Sequence, residues 1–415
     1  MKPESMCLTI WSGKKDKVEE YKKMNSIERK ILEKIEKYLP EIVFVVATII
    51  GFFMRFQLRT IVSGDAHTCL MPWYHEIAEN GLYTQVGDYS MLYQFVIWIM
   101  TRFPAVPNLF AFKIFSCIFD YATAVFAALI VARMDIPDKR WRSILTYALI
   151  LICPTVWTNS AAWAQCDAIY TAFVLLGIFS LDKEKYNTAM IALGLAFSFK
   201  LHAAFALPVY LYYYFAKKKF SILRFAIVPA TMVVTSLPLV FWGRNPFETF
   251  SIYAKQTSAW PSLANGYPSI WLTMFKENDV NQYEYMAPLA ILTTIGVLAA
   301  FMVCWLRKKC MPTGRNLLLM TFLLTYTSVF FLPAMHERYG FVYEICAIII
   351  AVIIPKTLPL AALLITVSMA TYASYLFYAP TNYVTMVWYN LFLYLAYIYV
   401  LRNELKSEEE NRMVE

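Results

Sequence analysis

Residues 42–67 read IVFVVATIIGFFMRFQLRTIVSGDAH. From Ile42 to Val62 the only charges are Arg55 and Arg59. A helix rises about 1.5 Å per residue, so about twenty apolar residues cross a hydrocarbon core. The run is too long for the apolar part of a secretory leader and follows a charged segment, so it is expected to stay in the membrane rather than be cleaved. It ends on Ser63-Gly64-Asp65-Ala66-His67, a carboxylate and an imidazole where the chain leaves the bilayer. An acid held there is a candidate catalytic base.

The rest of the chain has the same character. It is 59% hydrophobic and 16% charged, with a mean hydropathy of +0.49. Soluble domains average about 45–50% apolar and about 25% charged. The expected fold is all-α and polytopic, with about twelve transmembrane helices. The runs fall at 42–62, 109–132, 143–158, 167–181, 187–200, 202–216, 221–242, 286–306, 316–333, 340–354, 358–377 and 384–401. The pair around Lys200-Leu201-His202 also reads as one broken helix. Residues 14–40 suggest a basic amphipathic helix on the cytoplasmic membrane surface, or a solvated tail. The organisation expected is a cytoplasmic segment 1–40, one transmembrane domain 41–401 and a cytoplasmic tail 402–415.

The net charge of +8 is informative through its placement. The loops at 133–142, 183–185, 217–224, 307–315 and 356 carry fifteen Lys and Arg, whereas the alternate loops carry five: Arg102, Arg244, Lys255, Lys276 and Arg338. Basic residues stay in the cytoplasm, which puts both termini inside and Asp65 outside. The charge therefore signals orientation, and no nucleic-acid partner is expected. Two outer loops are long, 63–108 and 243–285. Their aromatic stretches, such as Pro72–Ile77 and Met91–Trp98, are too short to span and suit interfacial helices.

In this topology all four histidines, His67, His75, His202 and His336, fall on the outer side. So do Asp65, Asp88, Asp167, Lys200, Glu337 and Arg338. Ionisable groups at membrane depth cost several kcal/mol and usually serve a substrate path or a partner. Each also has a plainer role. Asp88 and Asp167 could cap helices, Glu337 and Arg338 could pair with each other, and His75 beside Glu76 suits a solvated face. Arg55 and Arg59 could snorkel or hold a phosphate. Lys113 and Asp120 share a helix face and could form a charge relay. The eight cysteines form no C-x-x-C pair, and a Cys69–Cys166 disulfide is left open. No His-Glu-x-x-His, P-loop or nucleophile elbow occurs.

The order of these motifs resembles the GT-C superfamily of membrane glycosyltransferases. It is similar to the enzymes that take glucose or mannose from lipid-phosphate donors. The likeness runs from about residue 55 to 345. It rests on Asp65, Asp88-Tyr89, Gln165-Cys166-Asp167, Phe199-Lys200 and His336-Glu337-Arg338. The Asp-Tyr-Pro-Pro run of eukaryotic relatives is Asp88-Tyr89-Ser90-Met91 here, and the first histidine of their His-x-His-Glu-Lys is Ala334. These departures point to a bacterial branch and its plasma membrane.

The resemblance implies an inverting hexosyltransferase at the outer face. Its partners would be a polyprenyl-phosphate-linked sugar donor, a glycan or glycolipid acceptor, and the bilayer. Asp65 would deprotonate the acceptor hydroxyl. Lys200, His336 and Arg338, with Glu337 beside them, would bind the donor phosphate and sugar. His67, Asp88, Tyr89, Gln165, Asp167 and His202 would contact substrate or support the site. No cofactor is expected and metal independence is implied, although the residues leave room for a divalent ion. The competing readings are a multispan transporter or lipid-linked-sugar flippase, and a polymerase moving a whole glycan. Neither an internal repeat nor a large outer loop with paired arginines supports them.

Overall fold

The computed structural model describes residues 25–83, 85–276 and 280–405. Residues 14–24 of the basic segment expected at 14–40, and residues 406–415 of the tail expected at 402–415, lie outside them. Among the described residues the protein is all-helical apart from one two-residue strand pair.

The first helix, α1 (Ser26–Gln57), is continuous through Pro40. The part of the expected surface helix from Ser26 to Pro40 is therefore the start of the first span. Its capping box explains where it begins: Asn25 accepts from the Ile27 amide, and Glu28 accepts from the Asn25 amide at 3.1 Å. Two short helices follow, α2 (Met71–Asn80) and α3 (Met91–Thr101), in the stretches expected to be interfacial. Then come α4 (Asn108–Arg133), α5 (Lys139–Ile152) and α6 (Pro154–Trp157). The chain bends by 47° between α5 and the segment Pro154–Ala162, because Pro154 cannot continue the hydrogen-bond ladder.

The next helices are α7 (Asp167–Asp182), α8 (Tyr186–Phe199), α9 (Leu207–Lys217), α10 (Ile227–Phe241) and α11 (Pro246–Ser258). The last are α12 (Tyr283–Arg307), α13 (Gly314–Phe331), α14 (Phe341–Ile353), α15 (Leu358–Phe377) and α16 (Tyr383–Leu401). Lys200 is extended between α8 and a 3₁₀ turn at Leu201–Ala206, so the segment expected to be one or two spans is broken there.

The twelve-span expectation is corrected. Among the described residues six helices are long and apolar enough to cross a membrane, or seven if the bent pair counts as one span. The expected runs do become helices, but many are short or polar. The long ones, α1, α4, α10, α12, α15 and α16, present apolar side chains to the outside. Phe52 and Phe53, for example, are 59% and 57% exposed. Helices α7, α8, α13 and α14 are shorter and buried on nearly every face. A helix wrapped by protein need not match the bilayer thickness and can carry Asp167, Asn316 or Glu344, so α7, α8 and α14 read as apolar runs yet are too short to span. The chain is an integral multi-pass membrane protein.

Helix α7 packs between α4 and α8, and α8 also packs on α10. Gly194 permits that last contact: a Cβ there would meet the Val228 carbonyl oxygen at 2.9 Å. A parallel strand pair, β1 (Ala264–Asn265) with β2 (Met335–His336), ties the long 243–285 loop to the turn before Glu337.

Candidate functional site

The turn after α1 carries Asp65, whose side chain is 21% exposed. Ser63 helps form this turn by donating to the Trp163 carbonyl at 2.8 Å while accepting from the Ala66 amide. A π-helical turn at Thr158–Ala162 then leads to Trp163-Ala164-Gln165. Ala164 takes a left-handed φ of 65°, which costs a non-glycine residue about 1–2 kcal/mol. That conformation lets the side chains on either side of it reach one carboxylate. Trp163 Nε1 donates to Asp65 Oδ2 at 2.9 Å and Gln165 Nε2 donates to the same oxygen at 2.5 Å. The Tyr375 hydroxyl, from α15, donates to Asp65 Oδ1.

Asp167 opens α7 and is fully buried. It accepts from Lys200 Nζ at 2.5 Å and from Asn159 Nδ2 at 2.9 Å. Arg338 stands between the two aspartates. Its Nη2 is 3.9 Å from Asp65 Oδ2, its Nε is 3.8 Å from Asp167 Oδ2, and its Nη1 donates to Glu337 Oε1 at 2.5 Å. The guanidinium also lies over the Trp163 ring, 5.1 Å from its centroid. Burial disfavours the Arg338 charge, yet Glu337 and Asp65 hold its pKa well above the ordinary arginine value. Burial likewise opposes ionisation of Glu337, but Arg338 and His336 keep its carboxyl below the usual range.

The structure therefore brings together Asp65, Gln165, Asp167, Lys200, Glu337 and Arg338. The plainer pairing of Glu337 with Arg338 also holds. His336 contacts Glu337 at 3.8 Å, with Trp260 against its ring. His202 packs edge-on against Tyr339, with ring centroids 3.7 Å apart. Its shielding, with Lys200, Arg338 and His336 nearby, drives its pKa well below 6.5. Its Nδ1 and Arg338 Nε are both buried without a hydrogen-bond partner. Tyr89 donates to Gln165 Oε1 at 2.8 Å and so buttresses the same segment.

Other expected residues lie at the margin. His67 is exposed. Asp88 does not cap α3, whose N-cap is Ser90; its carbonyl accepts from Gln256 at 2.5 Å. Asp167 is the first residue of α7 rather than its cap. His75 is exposed beside Asn108. Cys69 and Cys166 are separate thiols, one part-buried near Thr68 and the other buried. Lys113 and Asp120 do not pair: Lys113 binds backbone carbonyls and Asp120 binds Arg55. Among the described residues no three His, Cys, Asp or Glu side chains are grouped to hold a metal ion.

Trp163, Asn159 and Tyr375 were missed by the sequence reading. Trp163 lies two residues before Gln165, so a search around that polar segment could have found it. Tyr375 sits in an apolar run, where nothing distinguishes it from a lipid-facing aromatic. A cavity of about 630 Å³ lies to one side, lined by Leu272, Phe275, Lys276, Pro380, Tyr383 and neighbouring residues. Tyr383 adjoins the cluster, because its hydroxyl and the Glu337 carboxylate both lie within 4 Å of where a Cβ on Gly266 would stand.

The sequence model of Glycosyltransferase family 87, a GT-C-type family of integral-membrane glycosyltransferases, matches residues 89–333. That interval contains Gln165, Asp167 and Lys200, while Asp65 and Arg338 flank it. No curated protein matches the chain.

Proposed function

The chain belongs to glycosyltransferase family 87, and from that premise we propose that it is an inverting hexosyltransferase using a polyprenyl-phosphate sugar. The acceptor would be a glycan or a lipid-linked glycan. The observation that carries this reading is the placement of Arg338 3.9 Å from Asp65. It sets a carboxylate and a cation in one cluster, the two kinds of group that the reaction needs: a base for the acceptor hydroxyl and a counter-charge for the phosphate.

In the proposed step Asp65 takes the proton of the acceptor hydroxyl while that oxygen bonds to the anomeric carbon. The bond from that carbon to the phosphate oxygen breaks on the opposite face, and polyprenyl phosphate leaves with the electron pair. The leaving group is already a stable anion, so no acid need protonate it. It does need positive charge, which Arg338 and Lys200 supply. Both cations are engaged by carboxylates, so the phosphate would enter by competing with Asp167 and Glu337. Arg338 Nε and His202 Nδ1, unpartnered in the cluster, offer it further contacts. The cavity beside Tyr383 gives the apolar tail a place next to the site.

With six spans, the uneven distribution of Lys and Arg supports a site on the outer face and both termini in the cytoplasm, and the departures from the eukaryotic motifs support a bacterial plasma membrane. Residues 41–401 are read as one transmembrane domain. Purified protein with a short-chain polyprenyl-phosphate hexose and candidate acceptors tests the reaction. Asp65→Asn is expected to lose about 10²- to 10⁴-fold in turnover. Wild-type turnover in that variant would remove Asp65 as the base, and loss of activity with EDTA would overturn metal independence.

A further inference from the structure

A buried ion pair joins two of the spanning helices, apart from the cluster at Asp65. Arg55 on α1 is 5% exposed and Asp120 on α4 is fully buried. Arg55 Nε donates to Asp120 Oδ2 at 2.7 Å, and Nη1 donates to the carbonyls of Gly51 and Leu151 at 3.0 Å each. A buried ion pair adds little stability over well-packed apolar residues of equal volume. Its presence at membrane depth asks for another role.

The contacts of Asp120 suggest that role. Ser160 donates to Asp120 Oδ2 at 2.5 Å. Ser160 belongs to the π-helical turn Thr158–Ala162, and its neighbour Asn159 holds Asp167 at 2.9 Å. Just beyond the turn, Trp163 and Gln165 hold Asp65. On the same face of α4, two turns from Asp120, Lys113 Nζ donates to the carbonyls of Leu58 at 2.8 Å and Ile61 at 2.5 Å. Those carbonyls belong to the strand of chain that delivers Asp65. One face of α4 thus anchors both segments that meet at that carboxylate.

We propose that the Arg55–Asp120 pair, acting through Ser160, is a positioning unit that sets the π-helical turn and so orients Asp65 and Asp167. This rests on the reading of Asp65 as the base. Neither Arg55 nor Asp120 touches substrate.

The test uses the full chain in detergent, with Ser160→Ala and the double variant Arg55→Leu/Asp120→Leu. The double variant removes the pair without stranding a charge, and Ser160→Ala leaves the pair intact should the double variant fail to fold. Hydrogen–deuterium exchange is read over residues 58–66 and 158–166, with α13 as the internal reference. Transfer is followed from short-chain polyprenyl-phosphate mannose and glucose in parallel, with extracted membrane lipids as acceptor. The expected result is faster exchange in both segments and unchanged exchange in α13. It comes with a kcat at least about ten-fold lower, since small misplacements of reacting groups are costly, and a donor KM within about two-fold of wild type, because uniform binding is untouched. Wild-type exchange in both segments, or wild-type kcat in both variants, would overturn the proposal. Asp65→Asn beside them tests the base assignment separately. If it turns over normally that assignment fails, while the exchange data still decide whether the pair orders the turn.

Discussion

The Tyr375 hydroxyl donates to Asp65 Oδ1 across 310 residues of chain. The ring of Tyr375 also stacks on Trp163, with centroids 4.7 Å apart at 18°. With Trp163 and Gln165 on Oδ2, the carboxylate is oriented from both sides, and Oδ1 is the oxygen whose donor comes from a partly exposed side chain. Tyr375→Phe keeps the stack and removes one hydrogen bond, worth about 1 kcal/mol net. Initial rates of sugar transfer are expected to stay within about ten-fold of wild type. Tyr375→Ala also removes the stack and is expected to lose more, since Trp163 then loses one of the rings that orient it. Equal rates in the two variants would show that the ring does not orient Trp163.

Arg338 is held by Glu337, Asp65, Asp167 and the Trp163 ring. Lysine keeps the charge but cannot reproduce the planar fork. Arg338→Lys is expected to fold and to lose about ten-fold or more in kcat/KM. Arg338→Ala leaves the neighbouring carboxylates without their cation, and breaking buried pairs costs about 3–5 kcal/mol. Thermal unfolding should separate the two variants, with a clear drop in Tm for alanine only.

Gly266 has φ +79°, and an added Cβ would lie 2.8 Å from Glu337 Oε2. Gly266→Ala therefore carries backbone strain of about 1–2 kcal/mol and pushes the carboxylate that grips Arg338. Both Tm and turnover should fall. Gly296, in the middle of α12 with nothing within 4 Å of its Cβ position, is the control. Alanine there should leave activity unchanged and stabilise the helix by up to about 1 kcal/mol.

His202 faces Lys200, Arg338 and His336 and packs on Tyr339, Tyr170 and Phe205. Its shielding and these cations put its folded pKa well below the unfolded value of 6.5. The folded state then binds fewer protons than the unfolded one. This term leaves stability unaffected above pH 6.5 and lowers it as pH falls below 6.5 toward the folded pKa. His202→Phe keeps the ring packing and removes the proton. A plot of Tm against pH between about 5 and 7 should slope less in that variant than in wild type, and equal slopes would assign the acid sensitivity to other groups.

The helices were legible because hydropathy is a local property. The runs read at 167–181, 187–200 and 358–377 became Asp167–Asp182, Tyr186–Phe199 and Leu358–Phe377. The motif order also singled out Asp65, Gln165, Asp167, Lys200 and Arg338, which the fold places in contact. The number of spans was misjudged because an apolar run looks alike whether lipid or other helices surround it. Left-handed Ala164 and Ala334 gave no sign either, since alanine seldom adopts that conformation and only the surrounding contacts hold it there.

By itself the sequence determined that this is a helical membrane protein with a carboxylate where its first long apolar run ends. Composition and periodicity suffice for that, because the bilayer admits few backbone solutions. The tertiary structure decided which charges meet. Lys200, read from sequence as a cation for the donor phosphate, is already engaged by Asp167, Arg338 is shared among Glu337, Asp65 and Asp167, and Arg55 reaches Asp120 rather than the membrane surface. Such pairings depend on which helices stand side by side. Packing across hundreds of residues sets that arrangement, and no local pattern records it.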